Sequence, residues 1–345
     1  MQSKEMNICL VGFGNACQEF CRMLITKCLE LKESTGYVIK VTAIAGRSKG
    51  GIINSQGIDL EKALRDVKTT GSFDTSAEDT VNMDTLQVIR QCSANVLVEL
   101  STLSIYDGQP AISYIEAAFN RGMHVITGNK GPIAWKYQKL RDNSLQRGLQ
   151  FLYETTVMDG TPVFNFVKYS LPGCKVLSFR GILNSTTNFV LEQMEGGNSY
   201  EYAIKEAKRR GFAEEDPTLD IDGWDAAAKT AVLLNVLMGA NVNPKEINRR
   251  GVAHITLEDI KRAKEKNCKI KLICEGYMED NKAKGRVHPV YINNNDTFSN
   301  IDATSSILSI TTDLMGEMQI IEKNPEIQQT AYGIYSDLLT LIKEL

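Results

Sequence analysis

"MNICLVGFGNACQEFCRMLI", residues 6–25, decides the fold of this 345-residue chain. Residues 7–11 are an apolar run too continuous for a strand with one wet face. Such a run suits a parallel strand covered by helices on both sides. Gly12-x-Gly14 then supplies a tight turn and lets the backbone approach an anion at the N-terminus of the following helix. Cys17 stands where a third glycine is usual, so the helix is expected to pack slightly farther from the strand. A lone GxG is common by chance. Between a strand and a helix at the head of a βαβ pattern, it predicts a dinucleotide-binding turn.

Working outward, "YVIKVTAIAGRS" (37–48) reads as the second strand. A carboxylate at its end would accept hydrogen bonds from an adenosine ribose and repel a 2′-phosphate. The chain instead offers Gly46-Arg47-Ser48-Lys49, and the forked donors of Arg47 suit a 2′-phosphate or stack over adenine. NADP is therefore expected to be tolerated or preferred, with NAD not excluded. "ANVLVELST" (94–102) and "GMHVITGNKGPIA" (122–134) are further buried strands. They end in Ser101-Thr102 and Asn129-Lys130, polar groups at the strand ends where open α/β sheets bind ligands. "QPAISYIEAAFNRG" (109–122) between them has helical period and a glycine stop.

From Leu149 the pattern changes. "LQFLYETTVMDGTPVFNFVKYSL" (149–171) reads as a strand, a Gly-Thr-Pro turn and a short helix. "KVLSFRGILNSTTNFVLEQM" (175–194) is a strand breaking into hydroxyl and amide groups before a helix, a place for a cap and for a carboxylate. Strands are expected in 269–279, 286–293 and 306–323, the last a hairpin turning at Gly316, with an amphipathic helix over Glu326–Leu345.

"RGFAEEDPTLDIDGWDAAAK" (210–229) packs six carboxylates ahead of one lysine and an apolar helix. Asp222 is expected to cap that helix, with Asp225 three residues on and Lys229 one further turn along the same face. Capping and a surface ion pair would account for the pattern, except that Lys229 opens the apolar run Thr230–Gly239. A buried lysine needs a carboxylate or loses its proton. Between Asp225 and a second cation such as Lys130, it is suited to exchange a proton with a substrate oxygen. Glu214 and Asp220 suit a substrate ammonium, and Asp216-Pro217 shapes the loop.

Composition narrows the classes. A net charge of −3 argues against nucleic acid, and no apolar run approaches the length of a membrane span. The N-terminus enters a strand pattern at once, which leaves no room for a secretory signal and places the chain in the cytoplasm. The eight cysteines form no CxxC pair and only three histidines are present, so buried reduced thiols are expected, not a transition-metal site.

The stretches 184–194 and 209–229 resemble the signature region of the homoserine dehydrogenases: a GTTN-like turn, a G-(Y/F)-A-E-x-DP-x-x-D segment and a G-x-D-A-x-x-K helix start. "VITGNKGPIA" is similar to that family's T-x-N-K strand end, and "YETTVMDGTP" to its E-x-x-V-x-x-G-x-P segment. The resemblance implies that Lys229 is the proton donor and acceptor, that Asp225 holds the substrate hydroxyl or amine, and that Lys130 lies between nicotinamide and substrate. Glu214, supported by Asp220, would bind the ammonium, with Ser185 and Thr186 near the substrate carboxylate. Gly12, Phe13, Gly14, Asn15 and Ala16 would line the cofactor phosphates, Arg47 and Ser48 the adenosine end, and Ser101, Thr102, Asn129 and Lys130 the nicotinamide end. The backbone at Glu326 would also approach the cofactor. Glu154, Val157, Asp159 and Thr161 would hold a monovalent cation such as Na+, largely through backbone oxygens. Ser185 departs from the glycine usual at its position, and the family's late glycine-rich turn is here Asn324-Pro325-Glu326.

The expected architecture is α/β: a Rossmann-type doubly wound parallel sheet over 1–135, then an α+β substrate and dimerisation domain with a mixed sheet over 136–304. A segment over 305–345 would return to the nucleotide-binding domain. Neither the kinase nor the C-terminal regulatory domain that some family members carry is expected. The implied reaction is NAD(P)-dependent interconversion of L-homoserine and L-aspartate 4-semialdehyde by a homodimer, in threonine, methionine and isoleucine biosynthesis. The alternatives are another amino-aldehyde or hydroxy-acid dehydrogenase on the same scaffold, or a non-catalytic dinucleotide sensor. An aldehyde-oxidising enzyme would need a cysteine nucleophile, for which Cys174 is the loop candidate.

Overall fold

The computed structural model describes residues 4–345. The chain forms two compact units: one runs up to Pro132 and adds Lys136–Pro162 and Glu326–Leu345, the other comprises Ile133–Trp135 and Val163–Pro325.

The first unit is built on seven strands, β1 (Lys4–Val11), β2 (Tyr37–Gly46), β3 (Gly50–Ile53), β4 (Thr80–Val81), β5 (Val96–Glu99), β6 (His124–Thr127) and β7 (Phe151–Leu152). Their order is β4-β3-β2-β1-β5-β6-β7. The run from β2 to β7 is parallel, while β3 and β4 add antiparallel at one edge. The chain leaves β1 toward β2 and later returns to β1's other side at β5. That reversal opens a crevice at the carboxyl ends of β1 and β5. Ile8, Cys9, Leu10 and Val11 are all buried, as expected of a strand covered on both faces. Gly12 follows at φ +86°, where any side chain would collide with the Leu100 carbonyl. Only glycine allows β1 and β5 to lie so close at this point.

The second unit holds β8 (Val176–Ile182), β9 (Asn248–Arg249), β10 (Cys268–Glu279), β11 (Lys282–Asn293), β12 (Ser306–Thr312) and β13 (Gly316–Glu322). The order is β13-β12-β8-β10-β11-β9, antiparallel except for the β11–β9 pair. A doubly wound, mostly parallel sheet and a mixed sheet are thus both present. Helix Trp224–Leu237 packs on β10 and β11 and buries Val232, Leu233 and Leu234 completely. At about 1.5–3 kcal/mol per such side chain, these three residues anchor the helix as a fixed platform.

The boundaries differ from those read in the sequence. Residues 136–162 stay with the first unit, since β7 extends its sheet beside β6. The β12–β13 hairpin stays with the second, because β12 pairs with β8 and buries Ile307, Leu308 and Ile310 there. Only the last helix, Ile327–Glu344, returns to the first unit, where Ala331, Ile334, Leu338 and Leu341 join the core beneath β1 and helix Asn15–Thr35.

Candidate active site

In the first unit a cavity of about 260 Å³ opens at the carboxyl ends of β1, β2 and β5. Its lining includes Gly12, Phe13, Gly14, Arg47, Ser48, Ser101 and Thr102. Gly14 caps helix Asn15–Thr35, and no side chain caps that helix's first turn. Around the missing Cβ of Gly14 there is open space. Uncapped N–H groups, a helix dipole and room beside them make an anion seat. Phe13 contributes backbone alone, since its ring is buried edge-on to Phe73 at 5.1 Å. Cys17 is fully buried beneath the loop, with Cys21 beside it. Arg47 and Ser48 are exposed on the rim. These features fit a dinucleotide.

Beneath this cavity lies a group that the sequence reading passed over as part of an apolar strand. Glu99, the last residue of β5, is completely buried. Its carboxyl accepts from the Ser101 N–H at 2.8 Å, from the Ser101 hydroxyl, and from the Thr127 hydroxyl at 2.9 Å. Burial raises its pKa, and the surrounding donors oppose that rise. Asn129 completes the mesh: its side chain caps helix Lys130–Gln146 through the Gly131 N–H at 2.9 Å and donates to the Ser101 carbonyl at 3.1 Å. Glu99 thereby locks the polar ends of β5 and β6, and the helix turn that starts at Lys130, into one register. A glutamate closing "VLVE" at a strand's carboxyl end was the available signal.

In the second unit the acidic stretch splits. Glu214, Glu215 and Asp216 are exposed; Asp216 caps Thr218 through its hydroxyl at 2.5 Å and its N–H at 3.1 Å, and so shapes the loop. Glu214 makes no hydrogen bond or ion pair among the described residues. Asp220 and Asp225 instead converge. One side-chain amide, that of Asn184, donates to both, at 2.7 Å to Asp220 and 3.0 Å to Asp225. Asn184 is itself fixed as the cap of helix Ser185–Glu195, accepting from the Thr187 N–H at 2.9 Å. Lys229 lies 3.5 Å from Asp225 and donates to the Leu183 carbonyl at 2.6 Å, with its side chain only 18% exposed. Asn184 was read as part of a polar junction; that it bridges residues 36 and 41 positions away could not be seen from local sequence.

The structure corrects the expected cap. Asp222 does not start the helix of Lys229; it closes the short helix Thr218–Ile221, and Gly223 at φ +78° is the cap of Trp224–Leu237. Arg249 holds this reversal by stacking 3.8 Å over the Trp224 ring while donating to the Asp222 carbonyl. The left-handed step at Gly223 lets Asp220 and Asp225 meet at one amide.

Asp220 is held above the ordinary aspartate pKa, first by burial and then by the charge of Asp225. The Thr186 hydroxyl shows why this is tolerable. It lies 2.7 Å from the Phe212 carbonyl and 2.8 Å from Asp220, yet has one proton for two acceptors. If it donates to Phe212, a protonated Asp220 can donate back to Thr186. Thr186 thus serves the acid pair through its hydroxyl, and the open donors for an anion here are the first backbone N–H groups of helix Ser185–Glu195. Two carboxylates and one lysine amine thus gather around the Asn184 amide.

The remaining candidates lie elsewhere. Glu154 and Thr161 bound a segment packed against the final helix: Glu154 N–H donates to Asp337 at 2.9 Å and the Thr330 hydroxyl to Asp159 at 2.7 Å. Val157 and Thr161 are buried, and Asp159 adopts φ +42°. Among the described residues no three His, Cys, Asp or Glu side chains gather to hold a metal, so a cation here depends on backbone oxygens. Glu326 caps the final helix, is exposed, and gives its N–H to Gln329; it is not among the residues lining the cavity. The cysteines are free thiols, mostly buried, with Cys28 exposed. Burial pushes the Cys274 thiol, beside Thr230 and Lys229, up to about 12, which leaves no thiolate there at neutral pH.

The homoserine dehydrogenase family model matches residues 162–339. The chain is 36% identical to the homoserine dehydrogenase of Methanocaldococcus jannaschii, over 97% of this chain and 98% of that one. It is 31% identical to the NAD(+)-dependent homoserine dehydrogenase of Pseudomonas canavaninivorans, over 97% and 96%. Among solved structures, a hyperthermophilic archaeal homoserine dehydrogenase in complex with NADPH superposes with a TM-score of 0.84 at 26% identity, covering 99% of this chain and 98% of its own. With a doubly wound sheet, an uncapped helix start at the glycine turn and an acid–lysine cluster in place, the chain belongs to the homoserine dehydrogenase family.

Proposed function

We propose that this protein oxidises L-homoserine to L-aspartate 4-semialdehyde, and catalyses the reverse, with a nicotinamide cofactor. The observation that carries this reading is the pair Asp220–Asp225, tied by Asn184 and set beside Lys229. Two carboxylates brought to one amide beside a lysine suit a substrate ammonium. Asp220 and Glu214 hold the substrate ammonium, Asp225 holds the hydroxyl or amine, and the helix start at Ser185 and Thr186 receives the carboxylate. Lys229, after releasing one ammonium proton to solvent, takes the hydroxyl proton as the alcohol becomes an aldehyde, and as the ammonium it returns that proton to the oxygen in reduction. Its position on a buried helix, with Leu183 and Asp225 fixing the amine, keeps that proton in one place. Bound nicotinamide supplies or accepts the hydride. Gly12, Gly14, Asn15 and Ala16 would seat its phosphates, Phe13 through backbone, and Ser101, Thr102, Asn129 and Lys130 its nicotinamide end.

Assay of the purified protein with homoserine and each cofactor tests the reading; no oxidation with either cofactor would refute it. Arg47, exposed on the rim with no charged partner among the described residues, is assigned to the NADP 2′-phosphate. Arg47→Ala should raise KM for NADP about tenfold and leave KM for NAD unchanged. Equal effects on both would remove that assignment.

The protein is further read as a cytoplasmic homodimer that holds a monovalent cation on the backbone oxygens of Glu154, Val157, Asp159 and Thr161. No helix among the described residues is long and apolar enough to cross a membrane. Exposed Met278 and Ile321 on the strands of the second sheet supply apolar surface for a partner copy. A monomeric mass in solution, or turnover indifferent to sodium against choline, would count against these readings.

A further inference from the structure

A cavity of about 250 Å³ in the second unit is lined by Arg250, His254, Asp259, His288 and Tyr291, and by no residue of the Asn184–Asp220–Asp225–Lys229 cluster. We propose that it is a second ligand site, in which Arg250, His254 and His288 bind a small doubly charged anion of the phosphate class.

The fold brings these groups together from three elements. Arg250 follows β9 and is seated on β11 by its N–H to the Val287 carbonyl at 2.8 Å. His288 is the next residue of β11, and His254 stands in the turn that leads into helix Leu257–Glu265. Arg250's guanidinium has no ion pair or hydrogen bond among the described residues, although carboxylates are plentiful on this unit. His288 buries its Nε2 with no hydrogen-bond partner there. His288's shielded ring nitrogen thus lacks a partner, and Arg250 and His254 expose their donors at the same cavity.

The one carboxylate in the lining is already spent. Asp259 accepts from the Thr256 N–H at 3.0 Å and hydroxyl at 2.7 Å as part of the helix cap, with Arg262 3.8 Å away. It therefore leaves Arg250's charge for a ligand. The charged groups around His288 are Arg250, Arg286 and Glu275, and the last two are paired with each other across β10 and β11. Those around His254 are Arg250 and Asp259. Burial first, and then the arginines, hold both imidazoles below their ordinary pKa. An entering dianion reverses this balance: it draws a proton onto each ring and turns both into charged donors. Binding should therefore tighten as pH falls from 8 to 6.

The chain has only three histidines, which makes the test direct. The imidazole nitrogens of the ¹⁵N-labelled full chain are followed by NMR while inorganic phosphate is titrated at constant ionic strength. The expected result is a saturable shift of the His254 and His288 signals with a rise in both pKa values, while His124 in the first unit stays still. Arg250→Ala, at an exposed position that leaves packing intact, should weaken half-saturation at least about tenfold. The proposal is overturned if the two signals move without saturating, if they do not move, or if Arg250→Ala binds phosphate as the parent does.

Discussion

Replacing Lys229 with alanine is expected to lower the turnover of homoserine about a thousandfold, with the dissociation constant for the cofactor unchanged. The size follows from what positioned acid–base groups contribute, roughly a hundredfold to ten-thousandfold. The split follows from where the residue sits: Lys229 belongs to the second unit's cluster, whereas the phosphate seat and the strand ends lined by Ser101 and Thr102 belong to the first. Arginine should not restore turnover, since a guanidinium stays protonated and cannot accept the hydroxyl proton. Rates for wild type, Lys229→Ala and Lys229→Arg, with fluorescence titration of the cofactor, check this. Near-normal turnover in the alanine variant would remove Lys229 from the chemistry.

Asp220→Asn should separate function from stability. The carboxyl is held above its ordinary value of 3.8 by burial and by Asp225. A raised acid contributes stability that is fully present below 3.8 and lost as pH rises through the folded value. At pH 7 the wild type therefore carries a cost that a neutral side chain lacks. Asparagine also fits the hydrogen bonds: its oxygen accepts from Asn184, and its amide donates to Thr186, whose proton goes to Phe212. The variant's Tm is expected to rise by about a degree or more at pH 7, the gain vanishing near pH 4. With the ammonium partner gone, kcat/KM for homoserine should fall about a hundredfold. A variant that melts lower at pH 7, or works as well as the wild type, contradicts the assignment.

Much of this was legible because local pattern and tertiary role coincide. The buried run at 7–11 and Gly12-x-Gly14 specify a parallel strand and an uncapped helix start within one stretch. Lys229 at the head of an apolar helix announces a buried charge in the same way. What escaped the sequence lies in contacts between distant segments. Asn184 looked like one polar residue among five, and its role as a bridge exists only because Gly223 turns Asp220 and Asp225 toward it. Glu99 looked like a strand residue until Ser101, Thr127 and Asn129 closed around it. The hairpin after residue 305 was drawn to the wrong unit because an amphipathic pattern does not name the sheet it will join. Asp222 was read as a cap from spacing alone, and the left-handed glycine one position later took that place.

The central claim is that the acid pair Asp220–Asp225 recognises the substrate's ammonium. The direct measurement is kcat/KM for L-homoserine against 4-hydroxybutanoate, which keeps the alcohol and carboxylate but lacks the ammonium. The account predicts a loss of about a thousandfold or more for the deaminated compound, since buried polar groups would be left unmatched. Comparable values for the two compounds would contradict it.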